Sequence, residues 1–503
     1  MKKKLFTLRM SDKTSGGQRI EPRNHMKPHE TKNTNLVCFA SCYFVWFRGS
    51  KFSSDAFSRF CVLLVSLSLC TYALAQTPAP PAPKRLAVRA ARMLDVRSGN
   101  VITNAVVLIE NGRIGSAGSA LAIPAGTEVI DLGNAMLLPG LTDSHTHLLQ
   151  NYDKTIGGDD PNMILTVTQL GTTKRALLGA FQAREMLEAG FTAVRDLGNS
   201  GWNGDVALRD AIRSGWVVGP RLFASTRALS AAGGQFGTVS AEMQKILEQE
   251  YVVISGVEET RRAVRQAFYD GADLIKVIVN TGPRVVSLEE LKVIVEEAHR
   301  VNRKVSAHAI GDVATRIAAE AGVDSIEHAY TIPDDALKMM AAKKIYLVPT
   351  DFPSEFYLPP NLTPDEQKAA LQNIKGFTSG SRERLARAMK MGVRISAGSD
   401  SYYAEKGQTR GQTSKLMFRA YAESGMTPLE IIRAATINNA ELFAGERAPF
   451  GSIEAGKFAD LIAVAGDPLK EITELERVRF VMKGGAVFKD ELTAKGAAAR
   501  SSK

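Results

Sequence analysis

The sequence predicts an α/β fold: a (β/α)8 TIM-type barrel with a small β-sandwich domain built from both chain ends. Three observations support it. Strand-like apolar segments alternate with helical stretches through the middle of the chain, and eight candidate strands end near His147, Leu197, Thr226, Val279, Ala309, Ala329, Thr350 and Asp400. The ends at 279, 309, 329 and 350 lie 30, 20 and 21 residues apart, a spacing that suits compact β–α units. The two ends of the chain read instead as short strands and turns, and neither alone has enough alternating strand to bury a face.

Taken in order, residues 1–75 read as a leader with a signal peptide. Cys61 to Leu74 is a short apolar stretch behind Arg59, and Ala73-Leu74-Ala75 fits a small-x-small cleavage site before Gln76. The stretch is too short for a comfortable membrane span, so the expectation is a periplasmic or secreted protein with no stable membrane insertion once the signal is removed. Residues 1–54 are long and irregular for a leader and fit a start codon placed too far upstream. A Pro-rich linker, 76–84, follows. The small β-domain takes 85–138 and 451–490, with turns at Asn111-Gly112 and Gly484-Gly485. The barrel takes 139–450, and 491–503 is a disordered tail. Within the barrel, Ser287-Leu288-Glu289-Glu290 is a capping-box start for an amphipathic helix to Val301, and Thr427-Pro428-Leu429-Glu430 repeats the device with Pro at the first helical position.

Charge and cysteine usage exclude several functions. The formal net charge is +10. The leader holds 12 Lys+Arg against 4 Asp+Glu, which leaves a net of only +2 for 76–503 and no support for nucleic-acid binding. Cys38, Cys42, Cys61 and Cys70 all precede Gln76, so the mature chain has neither a disulfide framework nor cysteine chemistry.

The candidate chemistry lies at the strand ends. In Asp143-Ser144-His145-Thr146-His147, alternate side chains point the same way along an extended strand, so both imidazoles reach one point, as two ligands of one metal must. Lys276 sits in the apolar run Leu274–Val279, and His308, His328 and Asp400 end later strand-like segments. Singly, each has a bland alternative as a structural residue, a snorkelling lysine or a turn. Jointly that alternative weakens, because four of the mature chain's five histidines fall at strand ends; His299, inside a helix, reads as structural. Histidine and carboxylate ligands without cysteine suit zinc or a similar divalent cation. Burial disfavours the Lys276 ammonium, and the neutral amine can take up CO2 to become an anionic carbamate ligand.

These motifs, together with Leu138-Pro139-Gly140-Leu141, Ile326-Glu327-His328 and Gly451-Ser452-Ile453-Glu454-Ala455-Gly456-Lys457-Phe458-Ala459-Asp460-Leu461, resemble those of the amidohydrolase superfamily over about 85–490. The chain is most similar to the branch of imidazolonepropionase-like enzymes and bacterial Xaa-Pro dipeptidases (prolidases). The resemblance implies two divalent metal ions, His145, His147 and Asp400 holding one, His308 and His328 the other, and N6-carboxylysine at Lys276 bridging them. It implies hydrolysis of an amide C–N bond by a metal-bridging hydroxide, with Asp400 as the catalytic proton acceptor, on a small-molecule or dipeptide substrate of the Xaa-Pro or N-acyl amino acid type, in a homo-oligomer. Arg284, Tyr330, Tyr402 and Arg410, each near a motif, are the candidate substrate contacts, an arginine being suited to a free carboxylate. Two departures touch substrate choice: the short loop Asn280–Arg284, and Thr409-Arg410-Gly411 where related enzymes often have a His-Gly pair. A hydrolase of cyclic amides or lactones is the alternative on the same site, and a catalytically silent binding protein is a third reading.

Overall fold

The computed structural model describes residues 85–156 and 158–493. The leader, its Ala75/Gln76 cleavage site, the Pro-rich linker and the tail from 494 onward lie outside the described residues.

Both ends of the described chain meet in one mixed eight-stranded sheet. Its order is Ala486–Asp490, Phe480–Lys483, Leu461–Val464, Met136–Pro139, Arg85–Leu94, Val101–Glu110 and Arg113–Ser119, with Glu128–Asp131 also on Arg85–Leu94. The expected sandwich is here a single continuous sheet. The reason is the ten-residue length of Arg85–Leu94, which pairs with Val101–Glu110 along one edge and with two short strands in succession along the other. Alternate residues of that strand (Leu86, Val88, Ala90) join Val107, Leu461 and Phe480 in a small apolar core of the sheet's own.

The middle of the chain forms two parallel sheets. One holds Leu141–Thr146, Phe191–Asp196 and Arg221–Ala224. The other runs Tyr251–Val253, Ala228–Ser230, Leu274–Ile278, Lys304–Ala309, Ser325–His328, Tyr346–Val348 and Arg394–Ile395. Strands such as Leu274–Ile278, Ser325–His328 and Tyr346–Val348 are buried throughout, as parallel strands covered on both faces must be. The strand expected to end near Thr226 is Arg221–Ala224; the chain turns at Thr226, φ +61°, and a further short strand, Ala228–Ser230, joins the other sheet. Backbone contacts link the sheets on both sides: Asp273 N–H to Ala224 O (2.7 Å), and Ser144 N–H to Ala397 O (2.8 Å) with Asp400 N–H to His145 O (2.7 Å).

Helices Thr172–Glu188, Gly204–Arg213, Val257–Tyr269, Leu288–Arg300 and Asp312–Ala321 intervene between these strands. The capping boxes at Ser287 and Thr427 form as the sequence indicates. Asp460, from the C-terminal motif, clamps the two parts of the fold by a bidentate pair with Arg221 at 2.9 and 3.0 Å.

Candidate metal centre

The strand ends bring the sequence-predicted ligands together. Ligand atoms of His145, His328 and Asp400 all lie within 4.8 Å of one another. Asp400 Oδ1 is 3.1 Å from His147 Nε2 and 3.4 Å from His145 Nε2. The His308 and His328 rings are 4.6 Å apart, and His328 is 5.1 Å from His145. Each of His145, His147 and His328 uses Nδ1 elsewhere: on Glu327 Oε2 (2.8 Å), Gly198 O (2.9 Å) and Thr350 Oγ1 (2.8 Å). A carbonyl and a carboxylate only accept, so His147 and His145 donate from Nδ1 and turn a bare Nε2 lone pair toward Asp400. Two lone pairs converging on a carboxylate oxygen make a cation site. Asp400 Oδ1 and the buried Lys276 Nζ have no hydrogen-bond partner among the described residues.

The electrostatics agree. Burial holds His145, His308 and His328 well below the usual imidazole range, so they are neutral, as metal ligands must be. Burial brings the Lys276 ammonium down to about 8.

The backbone is strained where the ligands are presented. His328 (φ +67°), Thr350 (φ +56°) and Asp400 (φ +52°) occupy the left-handed region, which costs a non-glycine residue of order 1–3 kcal/mol each. Gly398 admits the close approach of the last segment to the first strand: a Cβ there would sit 2.9 Å from His145 Cβ.

The supporting shell was not evident in the sequence. Glu327, fully buried, accepts from His145, from Arg195 Nη2 (2.9 Å), and from Ser306 (2.8 Å) and Ser325. Arg195 Nε also binds Ser144 O (2.7 Å). Asp143 ties His145 N–H (3.0 Å) to Ser399 N–H (2.9 Å), and burial pushes its carboxyl up to about 7. Tyr251 OH reaches Asn199 and Gln235, and the Gln235 amide faces His308 Nδ1 at 3.4 Å. Arg195, in the strand Phe191–Asp196, carries a signal like that of Lys276, a charge within a largely apolar strand, whereas Glu327 sits in the polar run Ser325–His328.

The four candidate substrate contacts divide. Tyr402 stacks on the His147 ring at 4.5 Å, and Tyr330 lies 5.7 Å from the His328 ring with its hydroxyl 3.1 Å from Thr350. Both stay at the site. Arg410 is a correction: it is buried, and its guanidinium binds the backbone oxygens of Gln150 and Tyr402 (2.9 Å each) and Ser401, and Asn151 Oδ1 (3.0 Å). Arg284 is another, since it holds Ala232 O and Phe236 O at 2.7 Å each. Each guanidinium is spent on loop carbonyls. His299 pairs with Asp324 at 2.8 Å, away from the centre.

Residues 136–488 match the amidohydrolase family. The chain is similar to the ochratoxinase of Aspergillus niger, 34% identical over 428 residues, 78% of this chain and 84% of that protein. It is similar to the imidazolonepropionase of Clostridium tetani, 26% identical over 78% of this chain and 92% of that one. Among solved structures it resembles a Xaa-Pro dipeptidase with methionine bound in the active site, with a TM-score of 0.69 at 29% identity, covering 80% of this chain and 100% of that one.

Proposed function

We propose, because the chain belongs to the amidohydrolase family and is a hydrolase acting on carbon–nitrogen bonds, that it is an exported, metal-dependent amidase of dipeptidase or carboxypeptidase type. Its substrates are Xaa-Pro or N-acyl amino acid compounds. The observation that carries this is the convergence of His145 Nε2, His147 Nε2 and Asp400 Oδ1, with Nδ1 of both rings already engaged elsewhere.

The donor set fits a pair of divalent cations, zinc being suited to imidazole and carboxylate. His145, His147 and Asp400 would hold one, His308 and His328 the second, and Lys276, as its carbamate, would bridge them. The Lys276 Nζ without a hydrogen bond supports the bridge, since a buried ammonium left without one is costly. Bound there, a divalent metal polarises the scissile carbonyl and lowers the pKa of water to about 7. Asp400 takes up the proton released by the attacking water and delivers it to the leaving nitrogen. Glu327 and Gly198 keep His145 and His147 in the tautomer that leaves Nε2 bare. Tyr330 and Tyr402 flank the substrate.

In this reading the two parallel sheets are the halves of one (β/α)8 barrel spanning 139–450, and the eight-stranded sheet is a supporting domain of 85–138 and 451–490. Export rests on the leader's composition; no helix among the described residues is long and apolar enough to cross a membrane. Exposed Leu177 and Phe181, one helical turn apart, support a homo-oligomer.

The test is metal content of residues 76–503 purified without chelator and with bicarbonate, followed by a panel of Xaa-Pro dipeptides, N-acyl amino acids and ochratoxin against lactams and lactones. About two metals per chain with turnover of the linear amides is expected. About one metal would make Lys276 an ordinary buried lysine and turn the search to cyclic amides.

A further inference from the structure

An unbroken chain of ring contacts starts on one candidate ligand and ends on another. From His147 it passes to Tyr402 (4.5 Å, stacked), then Tyr152 (4.5 Å, stacked), then Tyr403 (5.9 Å, edge-on), and reaches Phe356 at 6.4 Å. From His328 it passes to Tyr330 (5.7 Å), then Phe377 (5.0 Å), then Tyr357 (5.5 Å), and reaches the same Phe356 at 5.5 Å. All but Phe377, which comes from the helix Pro364–Lys390, follow the carboxyl ends of parallel strands, the end that carries the ligands.

Two features set this arc apart from a core. Tyr330, Tyr402, Tyr403, Phe356 and Tyr357 are only half-buried, and Phe377 is exposed. Half-buried aromatic rings grouped beside a polar centre make the lining of a binding site, because an apolar ligand packed against their exposed edges completes their burial. The arc is also fixed in place. Lys154 donates to Phe356 O at 2.6 Å, pairs with Glu405, and lies 4.4 Å above the Phe356 ring, so the loops after the first, seventh and eighth strand positions are pinned together. A wall held rigid before binding loses little freedom on binding.

We propose that this arc is a substrate subsite, and that the enzyme favours amides bearing a planar aromatic or bulky apolar group next to the scissile bond. The proposal rests on the amidase reading above and names the substrate class of that site.

Matched pairs test it in the metal-loaded enzyme: Phe-Pro against Ala-Pro, and N-benzoyl against N-acetyl amino acids, compared by kcat/KM. Product-like fragments (phenylalanine against alanine, benzoate against acetate) are titrated in parallel by NMR, so binding is read even if no amide turns over. The aromatic member of at least one pair should be favoured about tenfold. That ratio should fall at least fivefold in Phe356→Ala, with Tyr357→Leu as the second variant should the first fold poorly. Turnover of the small and aromatic members at equal rates, with equal fragment affinities, overturns the subsite and leaves the amidase reading standing. So does a ratio unchanged in both variants. No turnover, together with tenfold tighter aromatic fragments lost in Phe356→Ala, sinks the amidase reading and keeps the subsite.

Discussion

Glu327→Gln separates the work of holding the fold from that of holding the metal. The carboxylate divides its oxygens: Oε1 takes Arg195, Ser306 and Ser325, and Oε2 takes His145 Nδ1. Glutamine has one oxygen and one amino group. With three donors at the first position, the oxygen goes there and the amino group faces His145. Two N–H groups cannot meet head to head, so His145 moves its proton to Nε2 and loses the lone pair aimed at Asp400. Loss of such a supporting partner costs 10–100-fold in metal affinity, about 1.4–2.7 kcal/mol. Arg195, 1% exposed, loses its counter-charge, for which about 3–5 kcal/mol of stability is expected. Chemical denaturation of the metal-free protein reads the second quantity and chelator-competition titration the first. Adding Arg195→Met to Glu327→Gln should recover much of the stability and none of the metal affinity. Wild-type metal affinity in Glu327→Gln, or recovery of both quantities in the double variant, would refute the tautomer argument.

Three further outcomes follow from the same geometry. In the metal-free protein, Lys276 loses its proton near pH 8 when folded and near pH 10.4 when unfolded. Below pH 8 both states are protonated and the folded one bears a buried charge; between about 8 and 10.4 the unfolded state binds more protons, so stability rises with pH. Lys276→Met should lack that rise, so the wild-type-minus-variant difference of unfolding free energy should climb across the window, and a flat difference would remove the assignment. Asp400→Asn, loaded with metal, should lose at least about 10²-fold in kcat while its circular dichroism is unchanged, and retained turnover would remove the proton-transfer role. Arg410→Met should lower the unfolding temperature by several degrees and reduce turnover of substrates with and without a free carboxylate alike; a loss confined to carboxylate substrates would restore Arg410 as a substrate contact.

The candidate ligands were legible because strand geometry is local. Period two aligns His145 with His147, and strand-end placement groups His308, His328 and Asp400 without knowledge of any distant contact. The arginines were not. Arg410 and Arg284 sit near motifs, yet what employs them is backbone oxygen from segments up to 260 residues away, and carbonyl groups carry no sequence signature. Arg195 was legible in principle, being a charge in a largely apolar run like Lys276, but its pairing with Glu327 emerges only when the strands are assembled. The single sheet at the chain ends escaped for a similar reason: alternation indicates a buried face, but not which strands share an edge. The extra strand Ala228–Ser230 follows a turn at Thr226 that depends on one positive φ no neighbouring glycine announces.

The pairing of Met136–Pro139 with Leu461–Val464 has a consequence for the order of synthesis. The earlier strand leaves the ribosome long before its partner exists, and until then one of its edges stays open. The buried apolar core of that sheet, which includes Leu137, Leu461 and Phe480, cannot form either. Folding therefore finishes only once the final strands emerge. A nascent chain kept incomplete in this way stays threadable through a translocation channel for as long as it is being made, and any premature stop before Leu461 leaves an apolar strand edge exposed to aggregation.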